Sequence, residues 1–578
     1  MGKIQQVNDP TGTYAFAYDN MGRLIGTTTG YTFLTGRTFT ASYSYDAASN
    51  RTGFTDPEGG ASTYAYDTLN RLTTLTPPVA YGTGSFGLSY DALSRRTQMT
   101  RPNGVNSNYS YDNLSRLLSV LHQAGASTID GATYTVDAAG NRTSKTDRLA
   151  GVTSNYAYDP IYELTNVTQG TNTTESYTYD PVGNRLSSLG VSPYSYNVSN
   201  QLAAKPGATY TYDSNGNTVT KTDATGTTNY TWDYENRLTS VTLPGTGGTV
   251  TFKYDPFGRR IYKSSSSGTS IYAYDGDNPI EETNASGTAV ARYTQTENID
   301  EPLAMLRSST TSYYQADGLR SVTSLSNAAG ALAQTYTFDS FGKQTASSGS
   351  LTNPFQYTGR EFDSETNLYF YRARYYDPNV GRFLSEDQKD IGAMGEWSNL
   401  YFYVKNSPVN LVDPFGLFTV KPGVPYPSLP IQALVDCIEF KTLLPIQITS
   451  TTDSHDPNTP HTNGVAVDLH YDNPAATQSI LCAAAGAEPD SGLMRKNIRH
   501  IPGSSRTSIC RSLLVRRGDT VTFRSRTAKA VSDELLERPN DRTTLQARTD
   551  ALADDCSRFW SGRFGSTASQ ARGGINCL

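Results

Sequence analysis

Residues 177–186 read Tyr-Thr-Tyr-Asp-Pro-Val-Gly-Asn-Arg-Leu, and this decapeptide decides the fold. Tyr177 and Tyr179 are two apart, so in a strand both rings fall on one face. Asp180 and the Gly-Asn pair supply a tight turn, because an Asp side chain bonds its own backbone and Gly or Asn tolerates positive φ. Arg185 and Leu186 begin a return strand. One unit is a β-hairpin of about 20 residues whose ring face stays uncovered until copies stack.

The same phrase recurs along the chain. Its acid stands at Asp19, Asp46, Asp67, Asp91, Asp112, Asp137, Asp159, Asp180, Asp213, Asp233, Asp255, Asp275 and Asp339, with Asn197 in one copy. Each Asp is read as a turn residue. Composition agrees. The 578 residues include 40 Tyr and 49 Gly, with only 18% charged, and aromatic and β-branched residues suit a pleated surface. So many aromatics exclude a disordered chain. No stretch approaches the ~18 consecutive apolar residues of a membrane helix. The first 19 residues are polar, so no signal peptide is visible. All five cysteines lie after residue 436, and an odd count without tight spacing argues against a Cys-based zinc site or a disulfide framework.

Over roughly residues 10–417 this pattern resembles the YD repeat of Rhs proteins and of the C components of Tc toxins. The resemblance implies a mainly β fold, in which a hairpin spiral forms part of a hollow cage around a C-terminal toxin. A small α+β C-terminal domain follows. It divides the chain into a YD/Rhs shell at 1–350, a core plug at 351–417 and a variable effector at 418–578. Helix is expected only after residue 427, at 430–440 and 527–538. The chain begins inside the repeat array, so the longer N-terminal part of the family is expected to be missing.

Residues 353–417 contain D-S-E-T-N-L-Y-F-Y-R-A-R-Y-Y-D-P-N-V-G-R-F-L-S-E-D, then N-L-Y-F-Y-V-K-N-S-P, then D-P-F-G-L. They resemble the Rhs repeat-associated core domain. That resemblance implies an aspartyl protease acting on its own chain after the Leu of D-P-x-G-L. Carried over, Asp387 and Asp413 are the paired acids, Arg374 is the supporting cation, and the Leu417–Phe418 bond is cut. Two carboxylates held ~3 Å apart cannot both ionise, so one takes a proton from water and the other gives one to the carbonyl. The family usually has Asp-Pro at the first acid, whereas this chain has Asp387-Gln388. The plain alternative makes both aspartates turn caps and Arg374 a structural ion-pair partner.

After Leu417 the repeats stop and four of the five histidines appear. His122 alone lies in a repeat, where a surface or satisfied side chain is expected. In the stretch 461–468, His461 and Asp468 are seven apart across Gly464, with Ala466 between. Imidazole nitrogen and carboxylate oxygen together suit Zn²⁺. The stretch resembles the S-x-H-x-x-G-x-A-x-D motif of D-Ala-D-Ala carboxypeptidase-like zinc peptidases, which implies a peptidoglycan peptide as substrate. His500 is the remaining candidate for a third ligand. His470 is a weaker ligand candidate, His455 reads as a substrate-contacting or loop residue, and the plain alternative is a loop His with a strand-end Asp.

From residue 489 onward there is no Tyr, and 14 Arg and 2 Lys face 9 acids. Shifting the frame under 493–514 by one base can spell an acidic cluster followed by H-x-H, the missing half of such a zinc site. A frameshift near residue 488 is therefore expected.

Three functions compete. The first is a self-cleaving Rhs-type toxin, secreted or cell-surface associated, with its own cargo inside the cage, an immunity protein and secretion machinery as partners. The second is a cell-surface YD-repeat binding or structural protein with an inert tail. The third, a nucleic-acid-binding or nuclease tail, is disfavoured because the Arg are scattered and aromatics are not interleaved. D-P-F-G-L followed by a composition break favours the first.

Overall fold

A computed structural model of the protein describes residues 3–388 and 399–417, together with the backbone of three later strands. Residues 5–388 and 399–417 pack as one compact unit, and the later strands belong to another. Seventeen strands, from Gln6–Asp9 to Arg185–Ser188, form one antiparallel sheet in which each strand pairs with the next along the chain. Sixteen more, from Ser195–Tyr196 to Gln344–Gly349, form a second sheet in the same order. The expectation of almost uninterrupted antiparallel strand through the repeats is met.

The turn chemistry explains the repeat. Asp19 Oδ1 accepts the amides of Met21 and Arg23, both at 2.9 Å, and its Oδ2 takes Arg23 Nε at 2.7 Å. Arg23 Nη1 then reaches forward to the Asp46 carbonyl of the next turn at 2.8 Å. Arg71 bonds the Asp91 carbonyl, Arg95 that of Asp112, and Arg116 that of Asp137 in the same way. The left-handed turn position is filled by Gly22, Asn70, Ser94 and Ser115 alike, so serine joins the expected Gly and Asn. Asp91→Ala removes the acceptor of two amides and an ion pair. It should cost about 1.4 kcal/mol locally, read as an about tenfold faster hydrogen exchange at the Arg95 amide with distant repeats unchanged.

The second aromatic of each phrase has a further task. Tyr45 donates its hydroxyl to the Leu24 carbonyl at 2.7 Å, Tyr66 to Arg51 at 3.0 Å, and Tyr90 to Leu72 at 2.8 Å. Tyr179 bonds the Leu164 carbonyl, Tyr254 that of Leu238 and Tyr274 that of Arg260. Trp232 does the same with its indole N–H, to Thr218 at 2.7 Å. In every case the acceptor lies five residues beyond the acid (or its equivalent) of the preceding repeat. Each unit is thus pinned to the one before it.

The two sheets share a core of Tyr14, Phe39, Leu75 and Phe86 from the first with Ile261, Ile271, Leu303 and Tyr313 from the second. Tyr31 Oη donates to the Tyr272 carbonyl across this junction at 2.7 Å. His122 lies in the same unit, 1% exposed, with Nδ1 2.7 Å from Ser107 Oγ and Nε2 3.1 Å from the Ala316 carbonyl. Burial, helped by the Arg101 guanidinium, pushes its imidazole down to about 3, so it is a satisfied neutral core residue.

Residues 353–417 add a four-stranded sheet made of Glu361–Asp363, Leu368–Tyr371, Arg374–Asp377 and Arg382–Phe383. Its strands are buried on both faces. Tyr357, Tyr369, Tyr371, Tyr376 and Tyr403 cluster on one side, while Phe370 and Tyr375 pack on Phe252 and Tyr254 of the second large sheet. Arg260, 1% exposed, donates to Glu361 Oε2 at 2.7 Å and also pairs with Asp363. Beyond residue 417, Gln447–Ser450, Ala466–His470 and Thr520–Arg524 form an antiparallel three-stranded sheet with Ala466–His470 at its centre. The helices expected at 430–440 and 527–538 fall outside the described residues.

Candidate active site

The hairpin joining Leu368–Tyr371 to Arg374–Asp377 turns in two residues, since Tyr371 pairs with Arg374. Arg372 adopts φ 57°, a left-handed conformation that costs a non-glycine residue roughly 1–2 kcal/mol. Such strain persists only where surroundings hold it, commonly at functional sites. Arg374 leaves this turn with its guanidinium stacked on the Phe383 ring, 3.7 Å from the centroid.

Three of the residues singled out from the sequence meet here. Arg374 Nη2 lies 2.7 Å from Asp387 Oδ2 and 3.4 Å from Asp413 Oδ2. Because both acids touch one nitrogen, their nearest oxygens are at most about 6 Å apart. Arg374, Asp387 and Asp413 are each no more than 6% exposed. Asp387 is anchored through its amide to the Leu400 carbonyl at 3.0 Å, which also accepts Arg374 Nη1 at 3.0 Å. Arg374 thus bridges the two buried carboxylates.

The D-P-F-G-L motif is a turn built around Asp413. Its Oδ1 accepts the Leu417 amide at 3.0 Å, so Leu417 is held by one of the paired acids. Gly416 has φ 71°, and a Cβ there would sit 2.5 Å from the Tyr371 carbonyl, so only glycine fits. Arg374 Nε donates to the Gly416 carbonyl. Where the family usually has Pro, Gln388 donates its Nε2 to the Glu235 carbonyl at 2.9 Å. The sequence reading missed Leu400, which contributes only a carbonyl, and Phe383, the ring beneath the guanidinium.

Phe418, His455, His461 and His500 lie outside the described residues, and of Asp468 and His470 the backbone alone is described. Asp468 sits opposite Ser450 on one side and Thr522 on the other. Among the described residues no group of three or more His, Cys, Asp or Glu is arranged to hold a metal.

Fold and site together define a YD-repeat shell carrying a buried aspartate pair beside a D-P-x-G-L turn. The family described as Teneurin YD-shell matches residues 150–409, and the RHS Repeat family matches residues 45–79. The chain is an Rhs/YD-repeat protein. It is 31% identical over 431 residues to the tRNA3(Ser)-specific nuclease WapA of Bacillus spizizenii, covering 71% of this chain and 16% of that protein. It is 36% identical over 98 residues to the double-stranded DNA deaminase toxin A of Burkholderia cenocepacia, 16% of this chain and 7% of that one. The Photorhabdus luminescens Tc holotoxin pore superposes with a TM-score of 0.62 at 20% identity, over 74% of this chain and 24% of that one. The TcdB2-TccC3-Cdc42 crystal structure gives the same TM-score over 72% of this chain. The chain therefore spans about a sixth of the length of WapA and about a quarter of the Tc chains.

Proposed function

We propose that this chain is the shell-bearing part of a polymorphic toxin, and that residues 351–417 cut the chain between Leu417 and Phe418 to free residues 418–578 as the effector. The observation that carries this reading is the meeting of Asp387 and Asp413 on one nitrogen of Arg374, with Asp413 also holding the Leu417 amide. In the step, one carboxylate accepts a proton from water as its oxygen attacks the Leu417 carbonyl carbon, and the other protonates the carbonyl oxygen. Collapse of the tetrahedral intermediate breaks the C–N bond. The amine of Phe418 leaves with a proton, and Leu417 becomes a carboxyl terminus. Arg374 fixes both acids and the Gly416 carbonyl throughout. Intact-mass measurement of the expressed chain tests this: two pieces ending at Leu417 and beginning at Phe418 are expected, and a single intact mass overturns it.

The cage is read as enclosing its own cargo, and secretion machinery and an immunity protein are the partners such a toxin needs. Among the described residues no helix is long and apolar enough to cross a membrane. For the effector, His461 and Asp468 support a zinc peptidase acting on peptidoglycan peptides, with His500 as third ligand or with a frame-restored tail supplying it. A catalytic zinc wants three protein ligands, so the chain as written should bind zinc weakly and release few muropeptides, while a frame-restored tail should do both well. Zinc content and muropeptide release of the two forms decide the matter, and strong activity of the written chain that is lost in His500→Ala makes His500 the third ligand. The name of the WapA relatives favours a second reading, a nuclease tail, and tRNA cleavage by the released piece with no muropeptide release would select it.

A further inference from the structure

Three consecutive residues of the Arg374 hairpin each hold one carbonyl of the segment before the proposed cut. Arg372 Nη1 donates to the Pro414 carbonyl, the Ala373 amide to that of Phe415 at 3.1 Å, and Arg374 Nε to that of Gly416. The Arg372 guanidinium also lies over the Phe415 ring, 5.2 Å from its centroid. The segment 414–416 is therefore gripped along its whole length, and Arg372 is its outermost contact.

Arg372 is fixed in turn from the repeat array. Asp300 stands in the loop between the strands Ala289–Gln295 and Pro302–Arg307, more than seventy residues away in sequence. It accepts Arg372 Nη2 at 3.0 Å and Nη1 at 3.3 Å, and pairs with Arg360 as well. Asp300 is 4% exposed, and burial alone would raise its carboxyl, but Arg360 and Arg372 more than offset that and hold it below the usual range. The loop is seated closely: a Cβ on Gly359 would lie 2.7 Å from the Asp300 carbonyl oxygen.

We infer that Arg372 binds the substrate segment and that Asp300 is a positioning residue for the cut, so that self-cleavage waits for the Asp300 loop of the array to fold against residues 353–417. This rests on the self-cleavage reading above. Arg side chains lose much rotamer freedom when ordered, and Asp300 orders this one before the segment arrives. A misplacement of about 1 Å at a reacting group can cost about a hundredfold in rate. The carbonyl held by Arg372 lies only three residues before the scissile bond.

Two measurements on the full chain test it. In cell-free synthesis, Arg372→Gln and Asp300→Asn should each cut about a hundredfold more slowly than wild type, with the same pH profile, because the proton-transferring groups are untouched. In the uncut Asp387→Asn chain, adding either substitution should speed hydrogen exchange at the Ala373 and Leu417 amides at least tenfold. The strand Leu24–Tyr31 should stay unchanged. Wild-type cutting rates, a displaced pH profile, or unchanged exchange at those two amides overturn the inference. If Arg372→Gln does not fold, Asp300→Asn alone decides, since its amide oxygen can still accept hydrogen bonds from Arg360 and Arg372 while the charge that fixes Arg372 is gone. A wild-type chain that never cuts sinks the self-cleavage reading, and the exchange measurement still decides whether the clamp exists.

Discussion

Asp413→Asn and Asp387→Asn chains are expected to stay whole under conditions where the wild-type chain is fully divided after Leu417. Loss of an essential acid or base commonly costs a thousandfold or more, on the order of the losses seen when other catalytic groups are deleted. The geometry separates this chemical effect from unfolding. Arg374 faces two carboxylates, so neutralising either leaves a one-to-one ion pair in the buried site rather than an orphaned charge. In Asp413→Asn the amide oxygen still accepts the Leu417 N–H, so the turn survives. Both variants should therefore melt within a few degrees of each other and show the same protease-resistant repeats. Mass spectrometry over time reads the outcome, and cutting that persists in both variants refutes the pair.

Arg260→Met should be the most destabilising single change in the unit. The guanidinium is 1% exposed and serves Glu361 and Asp363, with the Tyr375 hydroxyl 3.2 Å away and the Phe370 ring 4.5 Å from its carbon. Removing one partner of a buried charge group leaves the others uncompensated, at a cost of about 3–5 kcal/mol. Lys263, 3.2 Å from Asp363, relieves part of this but does not reach Glu361 in the same way. Hydrogen exchange in Glu361–Asp363 and Leu368–Tyr371 should quicken by at least a hundredfold, and an unchanged rate there would show that the ion group is dispensable.

The same group sets an acid dependence. Burial alone would raise the Asp363 carboxyl, but Arg260 and Lys263 outweigh it and hold it below its ordinary value. A depressed carboxyl contributes stability that is present above the unfolded value near ~4 and is lost as pH falls through the lower folded value. The wild-type junction should loosen only in strong acid, and Arg260→Met should lose much of that dependence.

Much of this was legible in the residues, for identifiable reasons. Tyr-x-Tyr followed by Asp announces period two and a turn, and both survive in the fold. The reason for tyrosine rather than phenylalanine was not legible, because the hydroxyl's acceptor belongs to the previous repeat and depends on register. Asp387, Asp413 and Arg374 were legible through a motif, and the structure brings all three together. Arg372 stands in the same Arg-Ala-Arg triplet, yet nothing local distinguishes its role from that of Arg374. Asp300 has no signal at all, being a loop acid whose partner lies in another part of the chain. The packing of Phe370 and Tyr375 on Phe252 and Tyr254 of the second sheet likewise has no local signal, because the partners lie more than a hundred residues apart.

The hydroxyl bonds between repeats have a consequence for how such chains change length. Tyr45, Tyr66 and Tyr90 reach one unit back and Arg23, Arg71, Arg95 and Arg116 one unit forward, so these bonds of a junction are made between immediate neighbours. Recombination that duplicates or deletes a whole hairpin rebuilds the same junction on both sides. Half a hairpin would reverse strand direction and carry the next rings to the wrong end of the sheet. Arrays of this kind should therefore grow and shrink in whole units, with Asn197 and Trp232 marking copies that have drifted while keeping the joint intact.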